Sequence, residues 1–362
     1  MLFTEKELVG KGVCPCLLCD KFERRFKFDT EHRDIVHIYE KPVISSNRKD
    51  LFACACGDKK NKETCREYLH LAIREIKPKL IIVHDMSSLK QIIGDEHKGK
   101  YERSRWRGFI FPAYKFNCWC GVVEQPVPDD KLVELQHKQQ QIDVKKFKTY
   151  LYKVLPPNPK NENFVHLMSP VKAKKFLDQI ITKKPMIAID YETTGLKPFR
   201  AGHKIVSCAI AVNDHFSGAF MMEDSLIEPL VKILEDQKIH KIAANMAYEI
   251  LWSMVILNAR PKGFVFDTMI AQHILDHRQA ICGLKHMAMV HLGVLEYDDA
   301  TKHWLRCEQE EGEKYATNGI NQIHKVPKKE LLTYNAYDSL FEYILATQLK
   351  KQIMGVGNER SI

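Results

Sequence analysis

Three short segments of this 362-residue chain carry side chains whose types and spacing could do chemistry. In IAIDYETTGL, Asp190 and Glu192 lie two residues apart, so on an extended chain both carboxylates leave the same face. Paired carboxylates at a strand end are hard oxygen ligands suited to a divalent cation, although alone they also fit solvated strand-end charges. Gly195, just after Thr193 and Thr194, permits a tight turn and close approach of backbone to a ligand. In AANMAYEILW, Glu249 follows Asn245 by four residues, about one helical turn, and could bring a third carboxylate over the sheet edge. Asn245 at that junction reads both as a helix N-cap and as a substrate contact. In YNAYDSLFEY, Tyr334 and Asp338 are spaced i, i+4 and share a helix face.

These side chains need elements to hold them. PMIAID (185–190), KIVSCAIAV (204–212) and SGAFMM (217–222) predict three strands in close succession, hence antiparallel neighbours. SLIEPLVKILED has helical period, and KIHKIAAN predicts a further strand. PKKELLTYNAYDSLFEYILATQLKKQIM predicts a long helix with Pro327 in its first turn. The alternation implies an α/β layer fold with a mixed sheet.

Residues from about 163 to 350 resemble the proofreading 3′-5′ exonuclease domain of family A DNA polymerases, particularly those of bacteriophages, within the DEDD superfamily of ribonuclease-H-like nucleases. The three quoted segments are similar to its three motifs. The Tyr-x-x-x-Asp form of the third selects the tyrosine subclass, and Thr333 stands where the other subclass has histidine. FDTMIAQHIL around Asp267 and GLKHMAMVHLG around Leu284 resemble the intervening helices. Glu249 departs from the aspartate usual in the second motif; Asp267, before Thr-Met-Ile, reads as an N-cap and not as a replacement ligand.

The resemblance implies an exonuclease domain over 163–362 that uses two Mg²⁺ or Mn²⁺ ions on DNA 3′ ends, single-stranded or frayed. Two-metal hydrolysis brackets the scissile phosphate between ions about 3.5–4 Å apart. On this resemblance Asp190 bridges both metals, Glu192 and Asp338 complete one site, and Glu249 serves the other. Tyr334 orients water, since a phenol with an ordinary pKa of about 10 is a poor base. Leu196 and the Thr193-Thr194 backbone hold and splay the terminal nucleotide. In the polymerases this region precedes a polymerase domain. Here 24 residues follow Asp338, so a fragment, a free nuclease and a separate subunit partnering a DNA polymerase are the alternatives, with the separate subunit preferred.

The cysteines set the first third apart, because eight of eleven precede residue 121 while Cys208, Cys282 and Cys307 are scattered. CPCLLCD supplies Cys14, Cys16 and Cys19; FACACGDKKNKETC supplies Cys54, Cys56 and Cys65; NCWCG adds Cys118 and Cys120. Such clustering argues against core packing and for a zinc ribbon or an iron–sulfur cluster, both of which want four thiolates. Cys16-x-x-Cys19, TCREYLHLAIREIKPKLIIVH, SSLKQIIG and WRG are similar to the iron–sulfur class of uracil-DNA glycosylases. That resemblance implies a [4Fe–4S] cluster, with Zn²⁺ as the alternative, on Cys16, Cys19, Cys65 and Cys56, with Cys54 as alternative to Cys56. It implies a smaller α/β/α cysteine-rich domain over 1–124. The Gly-Glu-Ala-Pro-Gly-like loop and the His-Pro-Ser after WRG are both missing, which implies a degenerate glycosylase that keeps its cluster as a staple. Lys59, Lys60, Lys62, Arg103, Arg105 and Arg107 read either as a grip on DNA backbone or as a solvated rim.

Residues 125–162, polar and bounded by prolines with a Gln tract, read as a linker holding at most one short helix or strand. The net charge of +9 is compatible with a phosphate-bearing partner, and its greater part lies in 1–128, where 24 Lys and Arg face 18 Asp and Glu. The longest apolar runs, such as LIIV, are far shorter than the roughly 20 residues a membrane helix needs, so no membrane partner is expected. The first dozen residues lack a secretion-signal core. The expected compartment is therefore the cytoplasm, of a bacterium or a phage-infected cell. The competing functional class is a non-catalytic iron–sulfur protein that binds DNA or tethers a replisome.

Overall fold

The computed structural model describes residues 22–28, 32, 34–42, 66, 69–71, 73–93, 103–123, 131–295, 297, 301, 303–305 and 319–355. The chain divides into two compact units, Met1–Pro157 with Met289–Leu295, and Asn158–Ala288 with Glu296–Ile362.

The first unit is built on five strands: β1 (Phe22–Phe28), β2 (Ile35–Pro42), β3 (Leu80–Val83), β4 (Ile110–Ala113) and β5 (Cys118–Val122). Their order is β1-β2-β3-β5-β4, with β2, β3 and β5 parallel and the two edge strands antiparallel. Helix α1 (Met86–Ile93) follows β3, and Asp85 caps it by accepting the Ser88 N–H at 2.7 Å.

The stretch read as a linker contains a 16-residue helix, α2 (Val133–Lys148), which continues into a 3₁₀ turn over Thr149–Tyr152. Phe147 and Leu151 pack in one core with Ile35, Leu80, Ile82, Ile110 and Trp119. The ring of Phe147 fills the space over Gly121, where any Cβ would lie 2.3 Å from it. Trp119 donates its indole N–H to Lys153 O at 2.9 Å. The segment reads as polar because its remaining faces point outward, with Leu135 and Ile142 exposed and few apolar residues left to show a period.

The second unit is a six-stranded mixed sheet in the order β11-β10-β7-β8-β9-β6. Its strands are β6 (Val165–Leu167), β7 (Ile187–Thr193), β8 (Ile205–Asn213), β9 (Phe216–Met221), β10 (Lys241–Ala243) and β11 (Phe264–Asp267). The pairs β7–β8 and β8–β9 are antiparallel, as their short connections predict, while β10 runs parallel to both β7 and β11. The helices are α3 (Pro170–Lys183), α4 (Asp224–Glu235), α5 (Met246–Ile256), α6 (Thr268–Leu275), α7 (Leu284–Leu292) and α8 (Lys328–Ile353). Pro327 stands just before α8, at its N-cap.

The period-2 alternation of β7 and β8 explains how the sheet is sandwiched. Ile187, Ile189, Tyr191, Cys208 and Ile210 join one large core with Phe176, Leu230 and Trp252. The opposite face carries alanines. Ala209 and Ala219 pack on Leu332 and Ala336 of α8, and Ala188 and Ala211 pack with Ala346. Small residues let this long helix lie close to the sheet, on the face from which the carboxylates of Asp190 and Glu192 emerge.

No described helix is long and apolar enough to cross a membrane.

Candidate active site

Two turns of α8 and one strand end converge. One carboxylate oxygen each from Asp190, Glu192 and Asp338 lies within 4.8 Å of the others. Glu192 and Asp338 are buried and Asp190 is partly enclosed. Burial and then the Asp338 charge push the Asp190 carboxyl well above its usual range, against the pull of Lys285 and of the Asn335 amide. Glu192 is raised likewise, by burial and then by Asp190 and Asp338. Three carboxyls gathered this way are unfavourable as anions without positive charge between them.

The surrounding residues hold this arrangement in place. Asn335 donates its amide to Asp190 Oδ2 at 2.5 Å and receives the Ser207 hydroxyl at 2.9 Å. Tyr334 is 7% exposed, and burial followed by the Asp338 and Glu192 charges keeps its proton in place far above neutral pH. Lys285 donates to Tyr334 Oη at 2.6 Å and to Asp338 Oδ2 at 3.3 Å. The Tyr297 hydroxyl donates to the other Asp338 oxygen. Adjacency to Tyr334 could have drawn attention to Asn335, whereas Lys285 and Tyr297 lie 53 and 41 residues from Asp338 and gave no local signal.

Glu249 lies apart from the three-carboxylate group. It is 2% exposed, its Oε2 has no hydrogen-bond partner among the described residues, and burial and then the Asp190 charge raise its pKa. An orphaned carboxylate oxygen on a side chain that feels the Asp190 charge fits a cation, because leaving it unpaired costs on the order of 1–3 kcal/mol or more. The donor set is all hard oxygen, which suits Mg²⁺ or Mn²⁺.

The turn after β7 is tightly fixed. The Thr193 hydroxyl donates to Gly195 O at 2.8 Å and also contacts the Tyr248 hydroxyl, which itself donates to Gly195 O at 2.9 Å. Asn321 donates its amide to Thr193 O at 3.0 Å and its backbone N–H to Thr194 O at 2.8 Å. A Cβ on Gly195 would lie 2.2 Å from the His203 ring, so close approach explains this glycine. Leu196 projects from the turn, 62% exposed, and Phe199 beyond it is 71% exposed.

Asn245 occupies the N-cap position of α5, but its side chain makes no capping bond and its backbone is left-handed at φ 65°, a conformation Asn tolerates. Asp267 does the capping. Its Oδ1 accepts Met269 N–H at 2.8 Å and Ile270 N–H at 3.2 Å at the start of α6. The same carboxylate accepts Asn245 N–H at 3.2 Å and Met246 N–H at 2.9 Å at the start of α5. Four donors occupy it, so its lone pairs serve two helix ends.

The family model DNA_pol_A_exo1, described as 3′-5′ exonuclease, matches residues 168–354, more than half of the chain. The chain belongs to this 3′-5′ exonuclease family. All five motif residues, Asp190, Glu192, Glu249, Tyr334 and Asp338, fall inside the exonuclease match. Among solved structures, the chain is similar to Brucella melitensis NrnC at 24% identity, over 48% of this chain and 76% of that one, with a TM-score of 0.33. It is similar to Trypanosoma brucei RNase D, in a structure with GMP, at 16% identity, over 54% and 58%, with a TM-score of 0.40. It is similar to the Aedes aegypti Nibbler EXO domain at 16% identity, over 53% and 91%, with a TM-score of 0.37.

Outside the exonuclease region, Cys16, Cys19, Cys54, Cys56 and Cys65 lie outside the described residues, as do Lys59, Lys60 and Lys62. Cys118 and Cys120 are described, and they correct the expectation that the clustered cysteines avoid the core. They are 1% and 0% exposed on β5, a strand buried throughout. Burial pushes the Cys118 thiol up to about 12, and burial followed by the neighbouring Cys118 raises Cys120 well above its ordinary value, which disfavours the thiolate a metal needs. Arg105 and Arg107, beside the buried Trp106, are half-buried.

Proposed function

We propose that the chain is a divalent-cation-dependent exonuclease that removes nucleotides from DNA 3′ ends, single-stranded or frayed, in proofreading or in replication and repair. The convergence of Asp190, Glu192 and Asp338 within 4.8 Å, beside a protonated Tyr334, carries the reading. Asp190, Glu192 and Asp338 would hold one divalent cation, and Asp190 with Glu249, whose Oε2 is unpartnered among the described residues, would hold a second. Bound there, two divalent cations supply Lewis acidity at the scissile phosphate and offset charge building on the leaving 3′-oxygen.

The protein's own groups do the rest. Water attacks phosphorus, the P–O3′ bond breaks, and a nucleoside 5′-monophosphate leaves. Lys285 takes a lone pair of the Tyr334 oxygen, leaving the phenol hydrogen to orient that water. Asn335 fixes the rotamer of Asp190. The rigid Thr193-Thr194 turn presents Leu196 as an apolar wedge against the terminal base, a contact blind to base identity. Asn245, exposed beside the α5 N-terminus, is available to the same nucleotide.

The test is release of mononucleotides from 3′-labelled DNA and RNA of one sequence, with Mg²⁺, Mn²⁺ or EDTA. The reading expects cation-dependent DNA trimming that Asp190→Ala and Asp338→Ala abolish. Preferential trimming of RNA overturns the DNA assignment, and binding without cleavage under every cation favours the tethering alternative. The resemblance to iron–sulfur uracil-DNA glycosylases further implies a [4Fe–4S] cluster, with Zn²⁺ as the alternative, on Cys16, Cys19, Cys65 and either Cys56 or Cys54, and the resemblance to family A polymerases implies a separate polymerase as partner; both are proposals. Iron and sulfide analysis of anaerobically purified protein tests the first, with zinc alone overturning it. Pull-down from the native host, scored by primer-mismatch removal, tests the second.

A further inference from the structure

Lys285, on α7, sets a positive charge against the three-carboxylate group. Its ammonium lies 3.3 Å from Asp338 Oδ2 and 2.6 Å from the Tyr334 oxygen. Two aromatic rings help to hold it there. The ammonium is 4.4 Å from the centre of the Tyr334 ring and 5.2 Å from that of Tyr297, and ring faces attract a cation. Both oxygens of Asp338 are thereby engaged, Oδ2 by Lys285 and Oδ1 by the Tyr297 hydroxyl. Asp338 is in turn one of the three residues whose carboxylate oxygens lie within 4.8 Å of one another. The Lys285 side chain remains 36% exposed, against 6% for Asp338, so it has room to swing without unpacking the core.

A divalent cation that takes Asp338 as a ligand meets these two partners differently. A neutral hydroxyl bonded to one carboxylate oxygen carries no net charge to repel the cation, and it steadies the ligand. An ammonium on the other oxygen already supplies positive charge, and like charges that close repel. The lysine is therefore a rival of the metal and not a further ligand. Without either, the gathered carboxyls relieve their mutual repulsion only by taking up protons. We propose that Lys285 is the resident counter-ion of this site: in the cation-free enzyme it holds Asp338 and Tyr334 in register, and it competes with the divalent cation for Asp338, which limits cation affinity. The inference rests on the cation-dependent reading of the proposed function and goes beyond it, because the same side chain that supports hydrolysis through Tyr334 here opposes the binding of the metal.

The experiment is calorimetric titration of the full-length protein with Mn²⁺, without nucleic acid, paired with thermal unfolding in EDTA and in saturating Mn²⁺. Lys285→Met removes the charge at nearly constant length. It should bind Mn²⁺ roughly tenfold more tightly than wild type, whereas simple damage to the site weakens binding. It should also unfold at a lower temperature than wild type in EDTA, with the gap closing in Mn²⁺, since the tighter ion returns more stability. Lys285→Arg keeps the charge and should bring both readings back toward wild type. Kinetics complete the split: kcat for 3′ trimming by Lys285→Met should fall roughly tenfold or more through the lost Tyr334 contact, although its cation is held more tightly. If Lys285→Met fails to fold, Lys285→Gln, which is polar and neutral, carries the same expectation of tighter binding. Mn²⁺ affinity that is unchanged or weakened in the neutral variant would overturn the counter-ion role while leaving the cation reading intact. A wild-type protein that takes up no Mn²⁺ would overturn the cation reading itself, and this inference with it.

Discussion

Both units carry polar and titratable groups in mixed sheets, but they keep them differently. In the first unit His84, Cys118 and Cys120, on and beside the sheet, are held neutral by burial. His84, at the end of β3, is held down to about 3 by burial and then by the neighbouring His37, and its Nε2 lies 2.8 Å from His37 Nδ1. Cys118 and Cys120 stay protonated. In the second unit carboxyls with elevated pKa values crowd one sheet face, with Lys285 reaching among them. Neutral burial stabilises a fold by itself, whereas crowded carboxyls destabilise one until a cation arrives. The contrast marks the second unit as the one that gives up stability for chemistry.

The sharpest way to break this contrast is to remove a carboxylate. Asp190→Ala or Asp338→Ala should lower nucleotide release by about 10³-fold or more, worth about 4 kcal/mol of barrier. Circular dichroism should show the fold retained, since relieving charge crowding offsets the lost contacts. Substantial residual activity would move the chemistry elsewhere. Tyr334→Phe removes only water orientation and the Lys285 contact. A loss of about 10- to 100-fold in kcat, with KM little changed, is expected in steady-state kinetics.

Cation loading sharpens the same contrast as stability. At 100 times the dissociation constant, Mg²⁺ or Mn²⁺ should stabilise the second unit by about 2.7 kcal/mol, and EDTA should reverse it. Amide hydrogen exchange resolved by peptide should slow in β7, α5 and α8 and remain unchanged in β2, β3 and β5. Equal slowing in both sets of strands would erase the distinction between the units.

The two units also differ in what their sequences reveal. The motifs of the second sit on elements with strong periods. Asp190 and Glu192 share a face because β7 alternates, and Tyr334 and Asp338 share one because α8 turns every 3.6 residues. Fold and site were therefore legible together there. Residues that act across long sequence separations, Lys285 and Tyr297, left no local trace. In the first unit cysteine spacing suggested ligands without indicating which cysteines belong to strands. Cys118 and Cys120 alternate on a strand whose every residue is buried, so burial, and not spacing, decides their role.

The segment 125–162 misled for a related reason, and Gly121 tests the correction. One aromatic ring on α2 packs where β5 offers no side chain. Gly121→Ala should force that ring aside and cost about 1–3 kcal/mol of stability in the first unit, read from chemical denaturation. Nucleotide release should be unaffected. An unchanged midpoint would mean that α2 is held loosely, as a linker helix would be.

The smallest expected effect is the acid response of the first unit. His70 donates its Nε2–H to Gln91 O at 2.8 Å, and burial brings its pKa down to about 4. In the unfolded chain both His70 and His84 take up protons near pH 6.5. The folded chain resists until about pH 4 at His70 and about pH 3 at His84. Between those limits the unfolded state binds more protons, so stability rises with pH across the window and is fully present above about pH 6.5. Acidification from pH 7 to 5 should therefore speed amide exchange in β3 and α1. His84→Gln should flatten part of that slope without touching the carboxylate unit. In the cation-free second unit the sign is opposite, because elevated carboxyl pKa values make the folded state the stronger proton binder, so mild acid should protect β7 and α8. Parallel loss of protection in both units as the pH falls would mean that their buried groups titrate alike and that the contrast between neutral and charged burial is wrong.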